Sequence, residues 1–437
     1  MEKIKVAFYL PNKGYTDIDC RNIENGNPGI GGSEYALITV AKKLYDESTL
    51  LDIELIAENV NDMLPPMKYY QADNVNDVVN YAEKSSLKYI VFRYGALKEF
   101  DQFISIYSGP VKFIVWCENF VLPHQLKLYS KNKSIARLIT VGIEQLDLYR
   151  DHAAFNKSDY IYNAVPQIQF DNIRNMDLSP CHKRKNEVTY IGSIVPGKSF
   201  HVLAKAWSQI IQEIPDAHLN VIGSGQLYNR QQHIGKFGIA EESYENSFIK
   251  YITENGKLLP SIKFWGIMGK EKEEVLSITK VGVPNPTGNT ETYGFTAVEL
   301  QMFGAAIATQ KCPGYLDTVK QNPSILYDNP NKLAASVIKL LRATDTDTSS
   351  VLDFLEDKFS LDKIYKEWEI LLTDSIPNNR PLHSRRIIEN RNYRYKSIKE
   401  LMRTIKSSIP FGYKIIPSIH TAKSSIKRCI KNFIKQS

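Results

Sequence analysis

The feature that most constrains the fold is a regular alternation of strand-like and helix-like segments from the first residues onward. Short apolar runs such as Ile4 to Leu10 indicate buried strands, whereas Ser33 to Leu44 carries its apolar residues at helical spacing. Strands that alternate with amphipathic helices are typical of βα units, which build parallel sheets covered by helices on both faces. The sequence therefore predicts an α/β protein rather than a β-sandwich or a helical bundle.

The alternation occurs in two sets, separated by a polar and poorly periodic segment from about Pro166 to Glu187. A chain of 437 residues is long enough for two domains of this kind. Their sheets are expected to face each other across a cleft at the carboxyl ends of the strands, where open α/β sheets bind ligands. The predicted division is a first domain at 1–165, a linker at 166–187, a second domain at 188–355, a closing helix at 356–375 and a tail at 376–437.

Composition argues against several classes of protein. No apolar run approaches the roughly 18 residues of a transmembrane helix, and the N-terminal segment reaches Pro11 before a signal-peptide core forms. The five cysteines are scattered and none belongs to a C-x-x-C pair, which argues against a disulfide framework and against a zinc site. We therefore expect a cytoplasmic protein with reduced cysteines.

Charge is distributed unevenly along the chain. The net charge is +7, but the segment from Arg380 to the C-terminus holds 15 basic and 2 acidic residues. In this tail, apolar residues recur at helical spacing from Ile398 to Ile409 and again from Ala422 to Ile434. Basic amphipathic helices suit an anionic membrane surface, so residues 384–437 are expected to hold the protein peripherally at the inner face of the cell membrane. The alternative is a solvated or disordered basic extension, and nucleic acid is not expected as a partner because no binding module is recognisable.

The sharpest local motif lies between Pro284 and Gly304. A polar loop contains Glu291, and a helix then begins near Gly294 and carries Glu299 in its first turns. Backbone amides at a helix N-terminus have no intrahelical partner and can receive a phosphate, so the two carboxylates can address two parts of one ligand. On local grounds alone, the alternative is that Glu291 interacts with the helix dipole and that Glu299 is a solvated helix residue.

This motif resembles the E-x7-E element of retaining glycosyltransferases with the GT-B architecture, in particular glycosyltransferase family 4 (group 1). The resemblance implies that Glu291 lies beside the donor sugar, that Glu299 holds the nucleotide ribose, and that the amides of Gly294 and Phe295 receive the donor phosphates. The implied fold is α/β, with two Rossmann-like doubly wound domains facing a central cleft. Here a basic C-terminal helical extension follows them.

Three other segments occur in the order that this family shows. Gly29-Ile-Gly-Gly-Ser-Glu34 resembles its N-terminal glycine-rich loop, which implies that Gly31 and Gly32 approach the donor diphosphate. Tyr190-Ile-Gly-Ser-Ile-Val-Pro-Gly-Lys198 resembles the loop whose lysine binds the donor phosphate. Asn163-Ala-Val-Pro166 is similar to the segment that precedes the interdomain linker.

One position is less typical of the family, and one histidine is a further candidate. Ser193 stands where an arginine is frequent, so Lys198 would carry the positive charge alone. His124 follows a strand of the first domain and is expected at the cleft, with a structural role as the alternative.

No metal site is expected, since Asp17-Ile-Asp19 lies in a loop rather than at the end of a central strand. The predicted catalytic residues are Glu291, Lys198 and His124, and the predicted donor-binding residues are Gly31, Gly32, Ser193, Lys198, Gly294, Phe295 and Glu299.

The resemblance implies transfer of a sugar from a nucleoside diphosphate sugar to an acceptor hydroxyl, with retention and without a metal ion or other cofactor. The expected acceptor is a saccharide or a lipid-linked saccharide, in the synthesis of bacterial surface polysaccharide or another glycoconjugate. Two alternatives stay open. One is a nucleotide-sugar epimerase or hydrolase of similar fold, and the other is a non-catalytic partner subunit of a glycosyltransferase.

Overall fold

The computed structural model describes residues 2–14, 16–227, 231–344, 349–373, 395–423 and 425–426. A parallel sheet organises each half of the chain, and helices cover the faces of both sheets. The strands are β1 (Ile4–Leu10), β2 (Leu51–Ala57), β3 (Tyr69–Gln71), β4 (Tyr89–Arg93), β5 (Lys112–Cys117), β6 (Ile135–Thr140), β7 (Ser158–Tyr160), β8 (Glu187–Ile191), β9 (His218–Ile222), β10 (Thr253–Glu254), β11 (Lys257–Leu258), β12 (Ile262–Gly266), β13 (Val281–Gly282), β14 (Ala306–Gln310) and β15 (Ile325–Tyr327).

Helices connect most of these strands. They are α1 (Gly32–Glu47), α2 (Val75–Lys84), α3 (Phe100–Ile106), α4 (Pro123–Lys131), α5 (Ile143–Leu146), α6 (Gln167–Arg174), α7 (Phe200–Glu213), α8 (Glu242–Phe248), α9 (Lys272–Ile278), α10 (Phe295–Met302), α11 (Pro313–Thr318), α12 (Leu333–Leu341), α13 (Ser349–Phe359), α14 (Leu361–Thr373), α15 (Lys396–Ser408) and α16 (Gly412–Ile415). Short 3-10 helices span Ile23–Asn25, Ala153–Lys157, Cys181–Lys183, Pro196–Lys198, Ile249–Tyr251 and Pro330–Lys332.

Both large sheets are doubly wound in the same way. The first has the order β3-β2-β1-β4-β5-β6-β7 and the second has the order β12-β9-β8-β13-β14-β15, while β10 and β11 form a separate hairpin. In each sheet the strand order reverses once, between β1 and β4 and between β8 and β13. Loops that leave the carboxyl ends of these strands meet at the reversal, which is where doubly wound sheets bind ligands.

The closing segment packs on the first domain. The segment predicted as a closing helix at 356–375 contains α14 and the end of α13, and the two helices meet at Ser360. Ser360 breaks the helix because Val165 pairs there as an isolated parallel bridge, with hydrogen bonds to both flanking residues. The second helix, α14, places Trp368 against Phe8 and Trp116, with ring centroids 6.0 and 4.6 Å apart. The chain therefore returns to the core of the first domain after it completes the second.

The basic tail forms a helix, as the sequence predicted, and α15 lies on the first domain. One side of this helix carries the apolar residues between Ile398 and Ile409. That side faces solvent. The face that α15 buries instead consists of three lysines: Lys396, Lys399 and Lys406. The second helical pattern in the tail, Ala422 to Ile434, falls largely outside the described residues. Within the part of the chain that is described, every helix is too short or too polar to span a bilayer.

The buried lysines contact acidic residues that follow β6 in the sequence. Nζ of Lys406 lies 3.1 Å from Oδ2 of Asp151 and 2.8 Å from the backbone oxygen of the same residue, and both side chains are fully buried. Lys396 pairs with Glu144 and lies 3.2 Å from Oδ2 of Asp147. Desolvation offsets much of the attraction in a buried ion pair, but removal of one partner leaves an uncompensated buried charge. These pairs therefore fix α15 in one orientation.

Replacement of Lys406 tests whether the buried ion pairs hold α15 on the first domain. Lys406→Met should lower the free energy of unfolding by about 3 to 5 kcal/mol, because Asp151 stays buried without its cation. Urea denaturation measures the change. Lys414→Met is the matched control, since Lys414 is exposed on the same tail and its loss should cost less than about 0.5 kcal/mol. Equal effects of the two substitutions would contradict the role given to the buried pair.

Candidate functional site

The carboxyl ends of the two sheets face a shared interdomain cavity of about 570 Å³. Loops after β1, β5 and β7 and the last residue of β4 line its first-domain side, and loops after β8 and β13 line its second-domain side together with the start of α10. Open α/β sheets bind ligands at this position. The sequence-predicted residues that line the cavity are Gly31, Gly32, Ser193, Lys198, Glu291, Gly294, Phe295 and Glu299.

The N-terminus of α1 opens into this cavity. Asn27 orders the loop before it, because its Oδ1 accepts hydrogen bonds from the backbone amides of Gly29 and Ile30, both at 2.9 Å. Gly31 occupies the N-cap position and provides no side-chain cap. Among the described residues, the amides of Gly31 and Gly32 have no protein acceptor. Such amides and the helix dipole together attract an anion.

The N-terminus of α10 opens into the same cavity from the other domain. Gly294 is its N-cap, with φ of +91°, a left-handed conformation that favours glycine. A Cβ at this position would also lie 2.6 Å from Cε1 of Tyr315. The ring of Phe295 reaches the first domain, where a Cβ on Gly32 would lie 2.9 Å from its Cδ2. Because the glycines lack side chains, the two helix N-termini approach each other closely.

Lys198 and Glu291 form an ion pair in the cavity, with 2.5 Å between Nζ and Oε1. Lys198 ends the 3-10 helix after β8, whereas Glu291 lies in the loop between β13 and α10. Asn285, which the sequence analysis missed, donates a hydrogen bond from Nδ2 to the same Oε1 at 3.2 Å. It also donates to the backbone oxygen of Gly197 at 3.0 Å. Asn285 therefore ties the two loops together and positions the ion pair.

A second ion pair lies on the same side of the cavity. Nζ of Lys272, at the start of α9, is 2.7 Å from Oε1 of Glu299 in α10, and both residues line the cavity. From the sequence, Lys198 was expected to supply the positive charge of the cavity alone. Lys272 adds a second lysine to the same wall. The sequence offered little indication of this role for Lys272, because the residue lies in a highly charged first turn of a helix, and such turns usually face solvent.

Ser193 contributes a small surface rather than a charge. It is buried after β8, and its hydroxyl donates to the backbone oxygen of Ser224 at 3.4 Å. Beside it, the loops after β8 and β9 pack tightly, since a Cβ on Gly223 would lie 1.9 Å from the backbone oxygen of Gly192. This close packing keeps the wall of the cavity free of bulky side chains.

Three strand ends of the first domain contribute polar side chains to the opposite wall. They are Arg93 at the end of β4, Glu118 after β5 and Asn163 beyond β7. Arg93 pairs with Glu34 at 3.0 Å, and Asn163 donates to Oε2 of Glu118 at 3.0 Å. Each of the three nevertheless has one buried polar atom without a hydrogen-bond partner among the described residues: Nε of Arg93, Oε1 of Glu118 and Oδ1 of Asn163. Unsatisfied buried polar atoms are rare, so their clustering here marks a prepared polar surface.

Glu118 is the most strongly perturbed acid of this wall. Burial raises its pKa to about 8, although the hydrogen bond from Asn163 and the charge of Arg93 act in the opposite direction and Glu34 adds to the increase. Its carboxyl group is therefore protonated at neutral pH. Perturbed acids in a cavity are frequent at functional sites. The sequence analysis missed Glu118, because a single acid after a strand has no distinctive spacing.

The loop that carries Glu291 is fixed to the first domain by its next two residues. The hydroxyl of Thr292 donates to the backbone oxygen of Glu118 at 2.5 Å, and that of Tyr293 donates to the backbone oxygen of Asn163 at 2.8 Å. Residues from both domains therefore hold the position of Glu291.

His124 does not lie in the cleft, so the position predicted for it was wrong. It is exposed at the start of α4 and does not line the cavity. The chain has already turned away from the sheet edge at Leu122 and Pro123, and Glu118 is the residue that follows β5 directly. In the described part of the chain, no three His, Cys, Asp or Glu side chains converge as metal ligands, and metal independence stays a prediction.

The comparisons with known proteins agree with this architecture. Residues 174–349 match the family model of glycosyl transferases group 1. No curated protein matches the chain by sequence. Among solved structures, the chain is similar to Anabaena Alr3699/HepE in complex with UDP and glucose, with 15% identity and a TM-score of 0.59 over 84% of this chain and 99% of that chain.

Two further structures are similar at low identity. The N-terminal domain of Candida albicans trehalose-6-phosphate phosphatase has 10% identity and a TM-score of 0.59, over 85% of this chain and 97% of that chain. A point mutant of S. aureus TarM, in complex with fondaparinux, alpha-GlcNAc-glycerol and UDP, has 14% identity and a TM-score of 0.51, over 68% of this chain and 58% of that chain. The chain thus has the GT-B fold, with two Rossmann-like domains and a helical C-terminal extension, and its residues 174–349 are similar to the group 1 glycosyl transferases.

Proposed function

We propose that this protein transfers a sugar from a nucleoside diphosphate sugar to an acceptor hydroxyl. The observation that carries the proposal is the meeting of two helix N-termini and the Lys198–Glu291 pair in one interdomain cavity. Helix amides and a lysine suit a diphosphate, and carboxylates suit sugar and ribose hydroxyls. The family match of residues 174–349, and the UDP bound in the HepE and TarM structures, support the same reaction class.

On the donor side, the diphosphate binds between the N-termini of α1 and α10. Lys198 provides an ammonium group with three donors, so it can contact a phosphate oxygen while it still contacts Glu291. Glu291 has a second carboxylate oxygen available for a sugar hydroxyl, since its ion pair and its bond to Asn285 both use Oε1. This arrangement places the sugar beside the loop that both domains hold.

The ribose binds farther along the same wall. Glu299 lies one to two turns into α10 and accepts hydrogen bonds from the ribose hydroxyls, as the resemblance implies. Lys272 holds the Glu299 side chain at the cavity surface through their 2.7 Å contact. Because the second lysine is close to the nucleotide, it also offsets part of the negative charge of the diphosphate, which compensates for the serine at position 193.

The transfer requires stabilisation of the charge that grows on the departing diphosphate. Preorganised amides and Lys198 meet this requirement, because they are already oriented toward the position of the phosphates. The proposed outcome is retention, in which the leaving phosphate accepts the proton of the acceptor hydroxyl on the same face of the sugar. Glu291 then orients the sugar rather than acting as a general base. The reaction proposed here uses no metal ion.

On the acceptor side, the polar wall of the first domain holds the incoming hydroxyl. Arg93, Glu118 and Asn163 each offer an unsatisfied polar atom at a strand end. The protonated carboxyl of Glu118 acts as a donor, and Oδ1 of Asn163 acts as an acceptor. A saccharide, with many hydroxyls that both donate and accept, satisfies such a surface.

The two rival functions predict different products. An epimerase or hydrolase converts the donor without an acceptor, whereas a transferase releases the nucleotide quickly only when an acceptor is present. A non-catalytic partner subunit releases no nucleotide with any acceptor mixture. The retained Glu291, Lys198 and Glu299, all in one cavity, argue against the non-catalytic partner.

We propose a saccharide or a lipid-linked saccharide as acceptor, and surface polysaccharide or glycoconjugate synthesis as the process. The protein would then act at the cytoplasmic face of a membrane, where a lipid-linked acceptor is presented. UDP-sugars are the first donors to test, in view of the UDP complexes of the similar structures.

Glu291 and Glu299 are predicted to have separable effects. Glu291→Ala should lower kcat by more than about tenfold, because the donor sugar loses its orienting carboxylate, whereas Glu299→Ala should mainly raise the KM for the donor. Steady-state kinetics with a donor and an acceptor saccharide measure both parameters. Glu213→Ala is the control, since Glu213 pairs with Arg342 on the surface away from the cavity. Normal turnover in a folded Glu291→Ala protein would remove this assignment.

The acceptor side is predicted to depend on pH through Glu118. Its carboxyl is a donor below its pKa of about 8 and ionises above it, which removes the donor and adds negative charge near Glu34. The acceptor KM of the wild type should therefore rise as the pH increases through about 8. Glu118→Gln retains the shape and the donor but does not titrate, so its acceptor KM should stay level across that range. A rise of equal size in both proteins would show that another group is responsible.

A further inference from the structure

The orientation of α15 exposes apolar side chains instead of hiding them. Its lysines point inward to the acidic residues after β6, so the opposite face of the helix is directed to solvent. The turn after α15 and the helix α16 expose two more large apolar side chains, Phe411 and Ile415. We name this set of exposed side chains the apolar ridge and define it by six residues: Ile398, Leu401, Ile405, Ile409, Phe411 and Ile415.

The ridge is too apolar to be an ordinary solvent-facing surface. Leu401 is 60% exposed, Phe411 is 68% exposed and Ile415 is 70% exposed. Single exposed apolar residues are common, but six of them on two successive helices indicate a binding surface. The buried lysine contacts hold the row in place, so the chain cannot hide it by a simple rotation of α15.

Cations and aromatic rings flank the ridge at both ends. Nζ of Lys414 lies 4.8 Å from the ring centroid of Phe411, and Nζ of Lys423 lies 4.2 Å from that of Tyr395. The one acidic residue in the sequence from 395 to 437 is Glu400, whose carboxylate pairs with Arg150 and Arg403. An apolar row with exposed rings and ammonium groups at its ends matches the boundary between lipid acyl chains and anionic headgroups.

We propose that the apolar ridge docks the protein on an anionic lipid bilayer. The choice of a bilayer over a second copy of the chain follows from charge. Two copies joined at the ridge would bring two tails together, each with 15 basic and 2 acidic residues from Arg380 onward. An anionic surface attracts the same charges. The apolar residues enter the interface, and Lys414 and Lys423 reach the headgroups.

The lysines of α15 face the first domain and not a membrane surface. Lys396, Lys399 and Lys406 do not face lipid, because they fasten the helix to the first domain. Among the described lysines of the tail, Lys414 and Lys423 are exposed and are left for the headgroups. The proposal identifies the membrane partner expected for a lipid-linked acceptor, but it does not require that the protein transfers sugars.

Vesicle co-sedimentation of the full chain tests the proposal without donor or acceptor. The probes are vesicles of phosphatidylcholine alone and vesicles of equimolar phosphatidylglycerol and phosphatidylcholine. The wild type should bind the anionic vesicles more tightly, and added salt should weaken the binding. Leu401→Asp/Phe411→Asp should reduce this binding by about tenfold or more, because two charges enter the row that contacts lipid.

The matched control is Ile106→Asp, since Ile106 is 84% exposed at the end of α3 and lies outside the ridge. It should bind the anionic vesicles like the wild type. If the aspartate variant fails to fold by circular dichroism, Leu401→Ser/Phe411→Ser replaces it, and the same loss of binding is expected. Unchanged binding by the ridge variant, equal loss in the control, or no binding by the wild type would overturn the proposal. A wild-type dimer that the ridge variant converts to monomer would assign the ridge to a second copy and would overturn it as well.

Discussion

The whole site depends on one constraint, which is that all parallel strands of a sheet end at the same edge. Each sheet reverses its strand order once, and the two reversals face each other across the cleft. Residues far apart in the sequence, such as Lys198 after β8 and Glu291 after β13, therefore meet within 2.5 Å. The same constraint places Glu118 opposite them, although it belongs to the other domain.

Charge in the cavity is arranged in pairs rather than as a field of one sign. Glu34 pairs with Arg93, Glu291 with Lys198, and Glu299 with Lys272. Glu118 has no cation bonded to it among the described residues, and burial raises its pKa until it is neutral. A diphosphate that enters this cavity meets two lysines and two helix N-termini that are already oriented. Such preorganisation lowers the cost of stabilising charge during a reaction.

The alternation of strands and helices predicted the α/β fold, and the family resemblance predicted the two-domain architecture and most residues of the second-domain wall. The glycine loops and the E-x7-E element lie where a loop from a strand leads into the next helix, so a local pattern marks their place at the sheet edge. Lys272, Asn285 and Glu118 were missed because their roles arise from contacts between separate loops and helices, which no spacing in the chain reveals. His124 was misplaced because the distance between the end of β5 and the first turn of α4 cannot be judged from sequence. In the tail, periodicity predicted a helix, but only the acidic residues after β6 decide which face of it is buried.

The central claim is that Lys198 and the helix amides hold the diphosphate of the donor. Calorimetric titration tests it most directly, with the nucleoside diphosphate of highest affinity among UDP, GDP and ADP and with its monophosphate. Lys198→Met should weaken the binding of the nucleoside diphosphate by about tenfold or more, because a charged hydrogen bond to the outer phosphate is lost. The binding of the monophosphate should change much less. Equal affinities of the wild type and the variant for the diphosphate would contradict the account.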